Sequence, residues 1–271
     1  MPKFSANLGM LWPELPLLER IAAAGRAGFG AIELHYPYAT PPQAVKAACA
    51  QAGVRLLNLN TGLGSKPGDF GLAALPGRQT EALGLIDQAF SYAHQAGAKS
   101  VHVLAGCVPP TDRTAARDCL IAALRHADAH AADTGVTVLL EAINPFDAPN
   151  YFYSRAADVL ALLDELASPR LKLMLDFYHL GRTGEDPQSI LAAALPHLGH
   201  VQIASVPDRA EPDRGTLNFR PILARLDALG YDGWVGCEYH PAADTLAGLA
   251  WCERLGVSLQ TSASEAPRPT A

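Results

Sequence analysis

Short runs dominated by apolar residues alternate with longer stretches of helical spacing along most of the chain. The runs are FSANLGM from Phe4, AIELHY from Ala31, RLLNLNT from Arg55, SVHVLAG from Ser100, TVLLEAI from Thr137, LKLMLDF from Leu171, HVQIAS from His200 and WVGCEY from Trp234. Several are almost continuously apolar, as expected of parallel strands covered on both faces. Between them lie Ala- and Leu-rich segments such as RQTEALGLIDQAFSYAHQAGA and ARDCLIAALRHADAHAADTG, whose spacing predicts helices. Gly28, Gly53, Gly97, Gly135 and Gly230 stand where such helices should stop, each a few residues ahead of the next strand.

A repeated strand, helix, glycine, strand order implies βαβ units and a parallel sheet. Eight such units match the period of a single (β/α)8 TIM barrel, and a chain of 271 residues has its size. A doubly wound open sheet is the structural alternative, weakened by the lack of a Gly-rich phosphate loop after the first strand. No linker or shift in composition divides the chain, so residues 1–260 are expected to form one barrel domain. The segment 261–271, TSASEAPRPTA after Gln260, is polar and Pro-containing and is expected to be a disordered tail.

Composition narrows the function classes. Hydrophobic residues make up 49% of the chain and charged ones 18%, a balance suited to a compact core and not to disorder. The net charge is -6 and no basic run interrupts it, so nucleic-acid binding has little electrostatic support. No apolar stretch is long enough to span a bilayer, and the first residues lack the apolar core of a signal peptide. The 5 cysteines (Cys49, Cys107, Cys119, Cys237, Cys252) show no CxxC spacing, which argues against a disulfide framework or zinc knuckle. A cytoplasmic protein without membrane or nucleic-acid partners is expected, and self-association into a homo-oligomer stays open.

The candidate chemistry lies where apolar runs meet acids. Glu141 ends VTVLLE, Asp176 ends LKLMLD, Glu238 follows WVGC, and Gln202 sits inside HVQIAS. A buried carboxylate is costly unless something pairs with it. In a barrel, strand C-terminal ends face the active site. Four consecutive strands would thus present Glu, Asp, Gln and Glu to one point. Three converging carboxylates need a cation, and an all-oxygen set favours a hard divalent ion, Mg²⁺ or Mn²⁺. Independent structural roles are the competing reading, and for Glu33 in AIELHY a salt-bridge role is preferred. His94, His126, His130 and His197 fall on helical stretches as surface or packing residues. His179, three residues beyond Asp176, leaves the sixth strand and is placed to contact substrate. His102 is read equally as pointing into the barrel or as a satisfied core histidine. Trp12 and Phe70 are candidates to cover the barrel mouth or to join a subunit contact.

With these residues in place, the chain resembles the hydroxypyruvate isomerase family within the xylose-isomerase-like barrels. The likeness runs through FSANLGMLWPELPLLERIAAAGRAGFGAIEL, GLAALPGR, HVLAG, LLEAIN and GYDGWVGCEY, covering nearly everything before the tail. It implies that Glu141, Asp176, Gln202 and Glu238 are metal ligands and that Glu141 and Glu238 are the catalytic acid/base pair. It also implies that His179 and Arg209 contact substrate. Gln202 stands where relatives acting on free ketoses usually carry His, which favours the hydroxypyruvate isomerase branch. Two departures bear on the substrate: Ser205-Val206-Pro207-Asp208-Arg209 replaces Asp-Val-Pro-Gly-Arg, and His240 stands where Lys or Arg is common. Both lie near where a substrate carboxylate would dock. The expected reaction interconverts hydroxypyruvate and tartronate semialdehyde through an enediolate. A 2-oxo-tetronate isomerase or ketose 3-epimerase is the alternative on a longer substrate. A metal-dependent endonuclease is disfavoured by the charge, and an idle small-molecule binding barrel by the paired glutamates.

Overall fold

The computed structural model describes residues 2–259, so the tail expected from residue 261 lies outside the described residues. Its strands are β1 (Lys3–Asn7), β2 (Ala31–Glu33), β3 (Arg55–Leu56), β4 (Asn58–Asn60), β5 (Ser100–His102), β6 (Thr137–Glu141), β7 (Leu171–Asp176), β8 (Leu198–Ile203) and β9 (Trp234–Cys237). All pair in parallel, in the order β3-β2-β1-β9-β8-β7-β6-β5-β4.

The third predicted strand is therefore two pieces, β3 against β2 and β4 against β5. Leu57 joins them. Its N–H donates to Ile32 O at 2.9 Å, while its carbonyl accepts from the N–H groups of Lys99 and Ser100, both at 2.9 Å. Asn58 O likewise accepts from Leu34 N–H at 3.0 Å and Asn60 N–H donates to His35 O at 2.9 Å, so the stretch from Leu57 to Asn60 closes the eight-unit ring. This is the (β/α)8 TIM barrel architecture.

The principal helices on the outside are α1 (Leu17–Arg26), α2 (Pro42–Ala52), α3 (Gln79–Ala96), α4 (Arg113–Thr134), α5 (Ala156–Leu166), α6 (Phe177–Thr183), α7 (Pro187–Ala194) and α8 (Phe219–Ala228). The short α9 (Thr245–Gly248) and α10 (Trp251–Leu255) follow β9. The two long helices stop as their sequences predict: Gly97 and Gly135 take φ of 83° and 72°, a left-handed conformation that costs any other residue more.

Strand alternation divides the interior into two zones. Phe4, Ile32, Val101, Val138, Val201 and Val235 belong to the continuous buried apolar cluster, and Phe4 meets Trp251 of α10 edge to face at 5.6 Å. The intervening positions, Ser5, Asn7, Glu33, His102, Glu141, Asp176, His200 and Gln202, are polar and equally buried. A polar barrel interior above an apolar jacket is what positions the site. Trp12 is itself buried, its ring packed on Phe29 and its backbone N–H donating to Thr245 Oγ1, so it lies in the core and not over the mouth.

Candidate active site

At the C-terminal ends of the strands lies a cavity of about 250 Å³ lined in part by His35, Tyr36, Phe70, His102, Glu141, Asp147, His179, Arg209 and Glu238. A larger hollow between α1 and α2 is an open groove lined mainly by alanines. It brings together no acid/base pair.

One of the site's carboxylates is shaped by the backbone beside it. Asp176 ends β7 and caps α6, its Oδ1 accepting from Tyr178 N–H at 2.9 Å. That bond leaves Oδ2 facing inward and places His179 one turn into the helix. His179 Nε2 lies 3.6 Å from Asp176 Oδ2 and 3.7 Å from Glu141 Oε1. Its Nδ1 faces Asn144, 3.3 Å from the backbone N–H and 2.7 Å from Nδ2. With Nδ1 accepting, the proton of the neutral ring belongs on Nε2 and points into the cavity. Burial, reinforced by the Arg209 guanidinium, holds the His179 pKa well below its ordinary range. His102 is buried too, its Nδ1 3.5 Å from Glu141 Oε2, and burial pulls its pKa down to about 4.

Beneath the mouth, Gln202 donates from Nε2 to Glu33 Oε2 at 2.8 Å. Glu33 is fully buried, and its Oε1 accepts from Ser5 Oγ at 2.6 Å. His200 Nε2 lies 3.0 Å from the same oxygen but out of line for a hydrogen bond. Gly236 makes room for this crossing: a Cβ there would lie 2.2 Å from Glu33 Oε1. The Gln202 oxygen is left without a partner.

Glu238 is the best-satisfied acid. Its Oε1 accepts from Asn7 Nδ2 at 3.0 Å and faces His35 Nε2 at 2.8 Å, while Oε2 accepts from Arg209 Nη2 at 3.0 Å. The same guanidinium group lies 3.5 Å from Asp176 and 3.7 Å from Asp147, with its carbon 4.7 Å above the Tyr178 ring. Arg209 adopts a positive φ of 52° in a tight loop, where its N–H donates to Ser205 O and Ala210 N–H donates to Ser205 Oγ.

These surroundings split the acids. Burial first, then the Glu238 and Asp176 charges, drives the Glu141 pKa well above the ordinary carboxylate range. Burial likewise raises Asp176 to about 7 against the opposing pull of Arg209. Burial also opposes ionisation of Glu238, but Arg209 and His35 outweigh it and hold that carboxyl well below its usual range.

The donor set suits a divalent ion. Glu141 Oε1, Asp176 Oδ2 and Gln202 Oε1 are buried oxygens without a hydrogen-bond partner, on three adjacent strands. Glu141, Asp176 and His179 also have ligand atoms within 4.8 Å of one another. Glu238, the fourth predicted ligand, has both oxygens engaged, and Arg209 supplies the positive charge beside it. His240 is exposed at the rim, tied to the site through its N–H, which donates to Arg209 O at 2.8 Å. Asn7, Glu33 and His35 were passed over as functional residues in the sequence, although each stands at a strand end, the same signal that singled out the quartet.

A closed parallel barrel with acids, histidines and an arginine gathered at its C-terminal mouth defines the active-site end of a (β/α)8 enzyme. The sequence model of the xylose isomerase-like TIM barrel family matches residues 21–255. The chain belongs to that family and is an isomerase. A 2-oxo-tetronate isomerase of Cupriavidus necator is 42% identical over 253 residues, covering 93% of this chain and 97% of the relative. A putative hydroxypyruvate isomerase of Mus musculus is 41% identical over 258 residues, covering 92% and 93%. Among solved structures, a family 2 AP endonuclease from Brucella melitensis superposes with a TM-score of 0.90 at 35% identity, covering 94% of this chain and 99% of that one.

Proposed function

We propose that this isomerase interconverts hydroxypyruvate and tartronate semialdehyde, with Glu141 and Glu238 moving the proton. The observation that carries the reading is the pair of glutamates lining one cavity with His179 and Arg209, in surroundings that push the Glu141 pKa up and the Glu238 pKa down. Two carboxyls driven apart in this way are suited to complementary base and acid roles.

Glu238 takes a proton from C3 of hydroxypyruvate, leaving an enediolate, and Glu141 delivers a proton to C2. The C3 hydroxyl proton passes to the oxygen on C2, so the product is an isomer with no atom gained or lost. The reverse reaction exchanges the two roles. His179 donates its Nε2 proton as a hydrogen bond to the substrate oxygen that gains charge. Arg209 pairs with the substrate carboxylate, a planar fork matching a planar acceptor.

Glu141, Asp176, Gln202 and Glu238 would hold Mg²⁺ or Mn²⁺. Bound there, the ion supplies positive charge against the developing oxyanion. It would also relieve Arg209 of neutralising Glu238, freeing the guanidinium for substrate.

A 2-oxo-tetronate substrate is the second reading. It draws support from the Cupriavidus necator relative and from the altered Ser205–Arg209 loop, in which Asp208 directly precedes Arg209 in the chain. Endonuclease activity, the activity named for the Brucella melitensis structure, fits poorly with a chain of net charge -6 that carries no basic run to hold a nucleic-acid backbone.

The test is an isomerase assay on metal-depleted protein with Mg²⁺ or Mn²⁺ restored. Hydroxypyruvate turnover should appear with metal, and Glu238→Gln should lower kcat by about 10²–10⁴. Higher kcat/KM on a 2-oxo-tetronate would transfer the assignment to that substrate. Metal binding without turnover of either would refute both.

A further inference from the structure

A second set of metal-type ligands stands on the outside of the barrel. Asp87 lies midway along α3, and His126 and His130 lie on the facing α4 at i and i+4, so they share one face of that helix. Both imidazoles aim Nε2 at one oxygen: the distances to Asp87 Oδ1 are 2.6 Å from His126 and 2.7 Å from His130.

The rings are oriented by more than this carboxylate. His130 stacks on the fully buried Phe90, with centroids 5.5 Å apart and planes 23° from parallel. His126 meets His130 edge to face at 4.9 Å. Partial burial would raise the Asp87 pKa, but the hydrogen bonds from both histidines outweigh it and hold the carboxyl below its ordinary range. The group therefore offers one anionic oxygen and two imidazole nitrogens, all within 4.8 Å of one another.

We propose that Asp87, His126 and His130 form a binding site for a transition ion of the Zn²⁺ class that clamps α3 to α4, separate from the barrel mouth. Imidazole suits zinc, copper and nickel, whereas the all-oxygen donors at the mouth suit magnesium or manganese. Zinc bonds of about 2.0–2.2 Å put neighbouring tetrahedral ligands roughly 3.3 Å apart. The present separations of 2.6 and 2.7 Å must open by about 0.6–0.7 Å to reach that spacing. Asp87 is 53% exposed and can swing to provide it. Water completes the coordination. Because α3 and α4 are consecutive helices of the outer ring, the ion stabilises the folded chain by mass action without touching the catalytic groups.

The experiment compares zinc uptake by the full chain and by His126→Ala/His130→Ala, using equilibrium dialysis against ZnCl₂. The wild type should hold one more equivalent than the double variant and show a larger rise in Tm with zinc. Co²⁺ in place of zinc should give visible absorption bands that the variant loses. His126→Gln/His130→Gln, which keeps side-chain bulk, serves if the alanine variant folds poorly. Asp87→Asn should weaken the extra site at least tenfold. Equal zinc stoichiometry and equal Tm shifts in wild type and variants overturn the proposal, as does wild-type protein that takes up no zinc.

Discussion

Gln202 has two chemically different ends, and Glu33 decides which way each one faces. By taking the amide N–H at 2.8 Å, the buried carboxylate leaves the amide oxygen without a partner and free for its proposed ligand role. Glu33→Gln should let the amide turn over and lower Mn²⁺ affinity about 10–100-fold with the fold retained. Isothermal titration checks this, and unchanged affinity would remove Glu33 from the site. Arg209→Lys keeps a charge but loses the fork, so KM should rise by about tenfold or more while kcat falls less. Steady-state kinetics on the best substrate would reveal the reverse pattern if Arg209 acted chiefly in the transition state. The sequence made Gln202 conspicuous because an amide inside an apolar run needs a reason. It did not make Glu33 conspicuous, since one acid at a strand end reads as a salt-bridge partner until Ser5 and Gln202 are seen beside it. Arg209 was legible only through resemblance, because its approach to Glu238 depends on a loop with positive φ and on pairing across the barrel.

At the level of elements, Asp176 belongs to two structures, a strand end and a helix start. Asp176→Asn should keep the cap on α6 and lose metal affinity, whereas Asp176→Ala should lose both, at a cost of about 1 kcal/mol for the cap. Hydrogen exchange at the Tyr178 amide separates the two: slow in Asn, faster in Ala. Equal exchange in both variants would deny the cap its role in holding His179. The strand and helix alternation was written in local patterns of apolar spacing and glycine stops, so α3 and α4 are found where the sequence put them. The break at Leu57 was not, because RLLNLNT alternates like one strand and its division depends on partners 25 residues before it and 42 after it, at Ile32 and Lys99. His126 and His130 likewise looked like separate surface residues, their convergence being set by the packing of α3 against α4.

For the molecule as a whole, the buried acids make stability depend on pH and metal together. Asp176 is raised from 3.8 to about 7, chiefly by burial, and Glu141 is raised as well. A carboxyl that holds its proton more tightly when folded favours folding at low pH. For Asp176 this contribution is complete below about pH 4 and fades as pH rises through about 7. Glu238 runs the opposite way, and its contribution is lost only in acid. A divalent ion at the mouth favours the ionised acids. The gain in Tm on adding Mn²⁺ to metal-depleted protein should therefore be larger at pH 8 than at pH 5. Thermal melts with and without chelator measure it, and a gain independent of pH would place the ion elsewhere. The closure at Leu57 has a consequence of another kind. A parallel sheet that ends in open strands offers its unpaired backbone to other chains, a template for aggregation. Here the stretch from Leu57 to Asn60 satisfies both margins, through Ile32, Leu34 and His35 on one side, so a local opening of that stretch uncovers two sticky edges at once. The seam is thus the place where the molecule would begin to recruit its own copies.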